Sequence, residues 1–274
     1  MFAGSIQKAP NLERLFYYLS HTGLTLLLLL AGAGACASPL CPPNHIDRSA
    51  QVAFVYDGDT VRLNDGEKVR LIGINTPERP RKGKPAQPLA NEATRQLKKL
   101  LRASNNRIGL RFGQERRDRY GRLLAYIYNP EGDSLSGRLL EAGLATTLFI
   151  PPNLSEVSCY QRVEASARQH KRGIWALRQY QVIESTRLPK TTRGYRIIRG
   201  RVGRVGQGRK NIWLNLPGKV AVRIEKKDLI HFKYPDPRNL KGKVITARGW
   251  LYERKGELRM RVQHPYALEV ITAR

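Results

Sequence analysis

Cysteine, histidine and acidic residues are all scarce in this chain, and long apolar runs are nearly absent. Three cysteines, Cys36, Cys41 and Cys159, are spread over 274 residues. No Cys-x-x-Cys pair or His–Cys spacing occurs, so a structural zinc site finds no support. The five histidines, His21, His45, His170, His231 and His264, are scattered. None stands with a serine or cysteine in a nucleophile motif, which removes triad-type hydrolases. The one long apolar run, LTLLLLLAGAGA at residues 24–35, is too short to span a bilayer comfortably. Acidic residues number 22 against 49 Lys and Arg, a formal net charge of +27 with a pI near 10.6. Hydrophobic residues make up 41%, enough to bury a core and to exclude a disordered basic tail.

The basic excess is densest toward the C-terminus, where residues 186–274 hold 23 basic and 6 acidic residues. An excess this large in a folded chain points to a polyanionic partner, either nucleic acid or an anionic membrane. Residues 1–35 read as a secretory signal, with Lys8 and Arg14 ahead of the apolar run and small residues after it. Cleavage near Ala35 and lipidation of Cys36 are both open, the second implying membrane attachment. Export predicts a periplasmic or secreted protein. It also leaves Cys41 and Cys159 as an even pair, either bridged or as two free thiols.

An N-terminal arm over 36–49 precedes a domain over 50–180. Residues 51–56, 59–64 and 67–74 read as strands joined by the DGD and NDG turns. The loop NTPERPRKGKPAQPL (75–89) carries four prolines. A helix is predicted over about 90–103, with Ala93, Leu97, Leu100 and Leu101 on one face. Strands follow around 108–112 and at LLAYIY, then helices over 134–143 and 155–171. The fold class is α+β, mostly β: a five-stranded barrel with packed helices. Residues 181–195 lack periodicity and read as a linker. Five or six strands in 196–274 predict a second small β-barrel, with no internal sequence repeat relating the two.

Four stretches carry chemistry: YDGDTV (56–61), VRLIGINTPE (69–78), RDRYGRLLAYIY (117–128) and RGIWA (172–176). Phosphodiester hydrolysis needs a water nucleophile, a cation on the phosphoryl oxygens and stabilisation of the charge that builds up. Asp59 is a hard oxygen donor suited to Ca²⁺. Asn75 offers a side-chain carbonyl and Thr76 a main-chain one. Glu78 lies on the same loop, within reach of a water. Arg70 and Arg122 offer planar guanidinium forks to one phosphate. Asp57 suits capping of the turn's N–H groups.

In order and spacing these stretches resemble the thermonuclease family of staphylococcal-nuclease-like phosphodiesterases, over residues 51–176. The resemblance implies an OB-fold nuclease barrel hydrolysing DNA or RNA, with Ca²⁺ as cofactor. It implies Asp59, Asn75 and Thr76 as calcium ligands and Glu78 as the residue that orients or deprotonates water. Arg70 and Arg122 would bind the scissile phosphate, and Arg119 and Tyr120 would lie around a terminal phosphate and base. Two positions depart from the family. Asn75 stands where an aspartate is usual, which lowers the ligand charge. Phe149-Ile150-Pro151 stands where tyrosines often line the nucleotide pocket, with Phe149 left to stack on a base.

The C-terminal region resembles an OB-fold. Outward-parity residues include Arg199, Arg201, Trp213, Arg248, Trp250, Tyr252, Arg259 and Arg261. Basic residues interleaved with aromatics suit single-stranded nucleic acid; Trp213, Trp250 and Arg259 are the candidates, and a core position for either tryptophan is an equally open reading. The expectation is an exported calcium-dependent nuclease with an accessory binding barrel. Its rivals are a non-catalytic nucleic-acid-binding protein and a basic envelope scaffold.

Overall fold

The computed structural model describes residues 1, 38–80, 83, 85–234 and 236–271. Residues 2–37, which hold the rest of the segment expected as a signal and Cys36, lie outside the described residues. No helix among those described is long and apolar enough to cross a membrane.

The first barrel is built from β1 (Arg48–Val55), β2 (Thr60–Leu63), β3 (Lys68–Leu71), β5 (Arg107–Arg117) and β6 (Leu123–Tyr128). Its strands close in the order β1-β2-β3-β6-β5. All neighbours are antiparallel except β3 and β6, which run parallel. The strand predicted over 67–74 is broken. Gly73 takes φ +84, and a Cβ there would stand 2.7 Å from the Tyr160 ring. The chain therefore bends, and β4 (Gly73–Asn75) leaves the barrel to pair with β7 (Thr146–Leu148), a strand the sequence did not announce.

Helix α1 (Ala90–Arg102) turns Ala90, Ala93, Thr94, Leu97 and Leu101 into the core. That spacing is the apolar stripe of a surface helix. Burying Leu97 and Leu101 stabilises the fold by about 1.5–3 kcal/mol each. Ser134 caps α2 (Leu135–Glu141) by accepting from Gly137 N–H at 3.1 Å. Helix α3 (Val157–Gln169) buries Tyr160, Glu164 and Ala167. Cys159 on α3 is disulfide-bonded to Cys41, which ties the N-terminal arm to the barrel across 118 residues.

The stretch expected as a linker contains β8 (Val182–Glu184), which pairs in parallel with β9 (Gly194–Arg201). The second sheet continues with β10 (Arg204–Gln207), β11 (Asn211–Leu216), β12 (Val220–Glu225), β13 (Val244–Arg254), β14 (Glu257–Arg261) and β15 (Leu268–Ile271). Its order is β10-β11-β12-β14-β13-β9-β8, with β15 on β13. Only Val202 and Gly203 separate β9 from β10, so the row closes on itself through one bent strand. Its β12–β14 pair is parallel, as β3–β6 is in the first barrel. The two barrels therefore share an OB-like strand order without sharing a sequence repeat.

A core of Ile198, Leu214, Val222, Ile245, Leu251 and Met260 fills the second barrel. A separate cluster joins the two: Ala167, Ile174 and Trp175 from the first pack with Tyr180 and with Ile197 of β9. Beside it Glu164 is fully buried. Its carboxylate accepts from Thr147 N–H at 2.7 Å and from the Tyr266 hydroxyl at 2.9 Å, with Arg248 at 3.5 Å.

Candidate active site

The turn between β1 and β2 brings Asp59 to the first barrel's rim. Asp57 Oδ1 accepts from Asp59 N–H at 3.1 Å, the capping role that turn chemistry suggested. Gly58 between them allows the turn to pack close. A Cβ there would lie 2.7 Å from the Thr76 methyl and 2.8 Å from Ala93. The close approach puts Thr76 against Asp59, whose Oδ2 accepts from Thr76 N–H at 2.9 Å and from its hydroxyl at 3.0 Å. Both residues are buried.

Arg70 lies across the same carboxylate. Its Nη2 stands 3.2 Å from Asp59 Oδ2, 2.9 Å from the Ile74 carbonyl and 3.4 Å from Asn75 Oδ1. Its Nη1 donates to the Leu71 carbonyl at 2.6 Å. One guanidinium thus fixes the 71–75 bend and two of the residues expected to hold metal. Arg122 enters from β6's leading turn. Its Nε pairs with Asp118 at 2.7 Å, and its Nη1 donates to the Thr60 hydroxyl at 3.4 Å. Thr60 is the register partner of Arg70, so both arginines reach the same strand pair. Burial pushes the Asp118 carboxyl up, but hydrogen bonds from Arg122 and from backbone N–H groups bring it below the ordinary range.

Glu78 is anchored through its backbone: its N–H donates to Gln87 Oε1 at 3.1 Å, and its carbonyl accepts from Gln87 N–H at 2.9 Å. Asp57 is pushed up to about 6 by burial and by the Asp59 carboxylate, with Glu78 adding to the effect. Carboxylates therefore crowd this corner in spite of Arg70, which is the electrostatic condition a divalent cation relieves. The candidate donors are hard oxygens: the Asp59 carboxylate, the Asn75 side-chain carbonyl and the Thr76 main-chain carbonyl. That chemistry fits Ca²⁺. Among the described residues no group of three or more His, Cys, Asp or Glu side chains could hold a metal ion. The donor set here draws on an amide and a backbone carbonyl instead.

The remaining candidates divide. Arg119 and Tyr120 sit together on the rim, Nη2 donating to the phenol oxygen at 2.6 Å, with Tyr120 68% exposed. Trp213 is half-buried under the Arg259 guanidinium, 4.9 Å from its ring centroid. Trp250 is 46% exposed. Phe149 does not take the position expected of a base-stacking ring. It is only 7% exposed and packs against His264 and Tyr266 of the second barrel, at 5.4 and 5.7 Å between ring centres.

Sequence reasoning missed Asp118, Glu164 and Tyr266. Glu164 carried a signal: it lies between Tyr160 and Ala167 at helical spacing, a carboxylate on the face turned inward. Asn75 and Glu78 open into a cleft of about 490 Å³ whose opposite wall is the second barrel.

Residues 68–177 match the family model of staphylococcal nuclease homologues. The thermonuclease of Staphylococcus intermedius is 38% identical over 128 residues, covering 45% of this chain and 74% of that protein. The thermonuclease of Staphylococcus hyicus is 32% identical over 136 residues, covering 48% and 79%. Endonuclease YncB of Bacillus subtilis is 34% identical over 129 residues, covering 45% and 60%. The chain belongs to the staphylococcal nuclease family, through its first barrel.

Proposed function

We propose that the protein is an exported, calcium-dependent phosphodiesterase that hydrolyses DNA, RNA or both without strong sequence preference. The observation that carries this is the convergence of Arg70, Asp59, Asn75 and Thr76 on one carboxylate-centred corner, with Arg122 and Glu78 beside it. The relatives' names, thermonuclease and endonuclease, support the same reading. The disulfide between Cys41 and Cys159 suits an oxidising compartment and so supports export.

Asp59, Asn75 and Thr76 would hold the calcium ion, which supplies positive charge to the phosphoryl oxygens when bound. Arg122, aimed by Asp118, binds the scissile phosphate and the charge that spreads over its oxygens. Arg70 holds the bend that carries Asn75 and adds its positive charge beside the same phosphate. Glu78 orients the attacking water and accepts its proton as the phosphorus–oxygen bond to the leaving group breaks. Arg119 and Tyr120 flank the nucleotide at the rim. The second barrel, with Trp213, Trp250 and Arg259 on its outer face, adds affinity for the polyanion.

The test is cleavage of single- and double-stranded DNA and of RNA across a Ca²⁺ titration, with EDTA and Mg²⁺ arms. Calcium-dependent cutting that stops in EDTA supports the proposal. Tight, salt-sensitive binding with no cutting at any Ca²⁺ level contradicts it and favours a non-catalytic binding protein.

A further inference from the structure

The cleft that holds Asn75 and Glu78 on one side is walled on the other by the second barrel. Arg223, Trp250, Tyr252 and Arg261 line it, together with Leu148 from β7. The barrel presents these side chains by strand geometry. Trp250 and Tyr252 alternate along β13, so both point away from the core that Leu251 enters. Arg223 and Arg261 are register partners on the parallel pair β12–β14 and stand on that same outward face. The more exposed aromatic surface of the cleft comes from the second barrel, because Phe149, which also lines it, is only 7% exposed against His264 and Tyr266 and Leu148 supplies an aliphatic edge.

The wall is also fixed in place. The apolar cluster around Ile197 and the buried Glu164–Tyr266 contact dock the barrel against α3, whose Glu164 also accepts from Thr147 N–H of β7. β7 in turn pairs with β4, where Asn75 is opposite Thr146. A barrel acting only as a tethered affinity module would need none of this.

We propose that the second barrel forms part of the active-site cleft itself, as a subsite for single-stranded nucleic acid in which an unpaired base next to the cleaved phosphate stacks on Trp250 and Tyr252. Arg223 and Arg261 lie along the strand's path. Their guanidinium groups face Glu225 and Asp228: Nη2 of Arg261 is 3.0 Å from Glu225 and 3.8 Å from Asp228, and Nη2 of Arg223 is 3.5 Å from Glu225. Local charge is therefore nearly balanced, and selectivity rests on the rings. A duplex hides its base faces and cannot use them, whereas every unpaired base offers a stacking face. The proposal rests on the nuclease reading for the word active site, but the subsite can be measured without cleavage.

The test uses the full chain in EDTA. Binding of a fluorescein-labelled oligo(dT) single strand is compared with binding of a blunt duplex of equal length. The variants are Trp250→Ala, Tyr252→Ala, the conservative Trp250→Phe, and Tyr234→Ala as an exposed aromatic outside the cleft. Circular dichroism confirms that each folds. Stacking per base predicts a loss of about tenfold or more in single-strand affinity for Trp250→Ala. Tyr252→Ala should lose affinity in the same direction, Trp250→Phe should retain most of it, and Tyr234→Ala should stay within about twofold of wild type. Duplex affinity should change little in any variant. Single-strand binding unchanged in both Trp250→Ala and Tyr252→Ala overturns the subsite. So does an equal loss on duplex. Wild-type binding with the predicted variant pattern, but no cleavage when Ca²⁺ is restored, leaves the subsite standing and overturns the nuclease reading alone.

Discussion

The Tyr266 hydroxyl donates to Glu164 at 2.9 Å, joining residues 102 positions apart and two barrels that meet at one buried carboxylate. Arg248 approaches the same carboxylate at 3.5 Å, and its guanidinium lies 3.8 Å over the Tyr266 ring. Removing one partner leaves a charge buried without compensation. Arg248→Met is expected to destabilise the protein by on the order of 3 kcal/mol. Chemical denaturation checks this. An unchanged midpoint would mean that the docking does not depend on the pair.

Asn75 is a neutral candidate donor beside the Asp59 carboxylate and the Thr76 main-chain carbonyl. Replacing it with aspartate adds a charge to the ligand set, and calcium affinity rises with ligand charge. Asn75→Asp should move the calcium midpoint of cleavage down by roughly tenfold. A midpoint that stays or rises would place the metal elsewhere.

Arg70 donates to two carbonyls and pairs with Asp59, a fan that only a planar fork can make. Lysine keeps the charge and loses the geometry. Arg70→Lys is expected to lower kcat by about 10²-fold or more while the protein still folds. Activity within about threefold of wild type would reduce Arg70 to a replaceable charge.

The Cys41–Cys159 bridge closes a loop of 118 residues in sequence separation. Constraining so long a loop in the unfolded chain predicts a loss of about 2–5 kcal/mol in a Cys41→Ala, Cys159→Ala double variant. Thermal unfolding with and without reductant measures it. The folded double variant should cleave at the wild-type rate, because the bridge joins the N-terminal arm to α3 and neither carries a proposed catalytic or metal-holding residue.

Much of this was legible in the sequence because local signals and tertiary structure agree. The α1 stripe and the DGD turn each specify their element locally, and the structure keeps them. What was not legible depends on contacts distant in the chain. β4 separates from β3 because the Tyr160 ring crowds Gly73, and no pattern within residues 67–74 encodes that. β8 forms because β9 offers it an edge, although residues 181–195 have no strand periodicity of their own. Phe149 looked like a free ring until the second barrel's His264 and Tyr266 covered it. For the candidate site, the four quoted stretches and the family resemblance pointed to Asp59, Asn75, Thr76, Glu78, Arg70 and Arg122. They did not announce that Arg70 would lie across the Asp59 carboxylate, or that a second barrel would wall the cleft.

The most direct test of the central claim is the single-turnover rate of DNA cleavage by Glu78→Ala at saturating Ca²⁺, set beside its DNA affinity in EDTA. The account predicts a rate lower by at least about 10²-fold with affinity within about threefold of wild type, as expected when a group acts on the attacking water and not on binding. A cleavage rate equal to wild type would contradict it and remove Glu78, and the site built around it, from the chemistry.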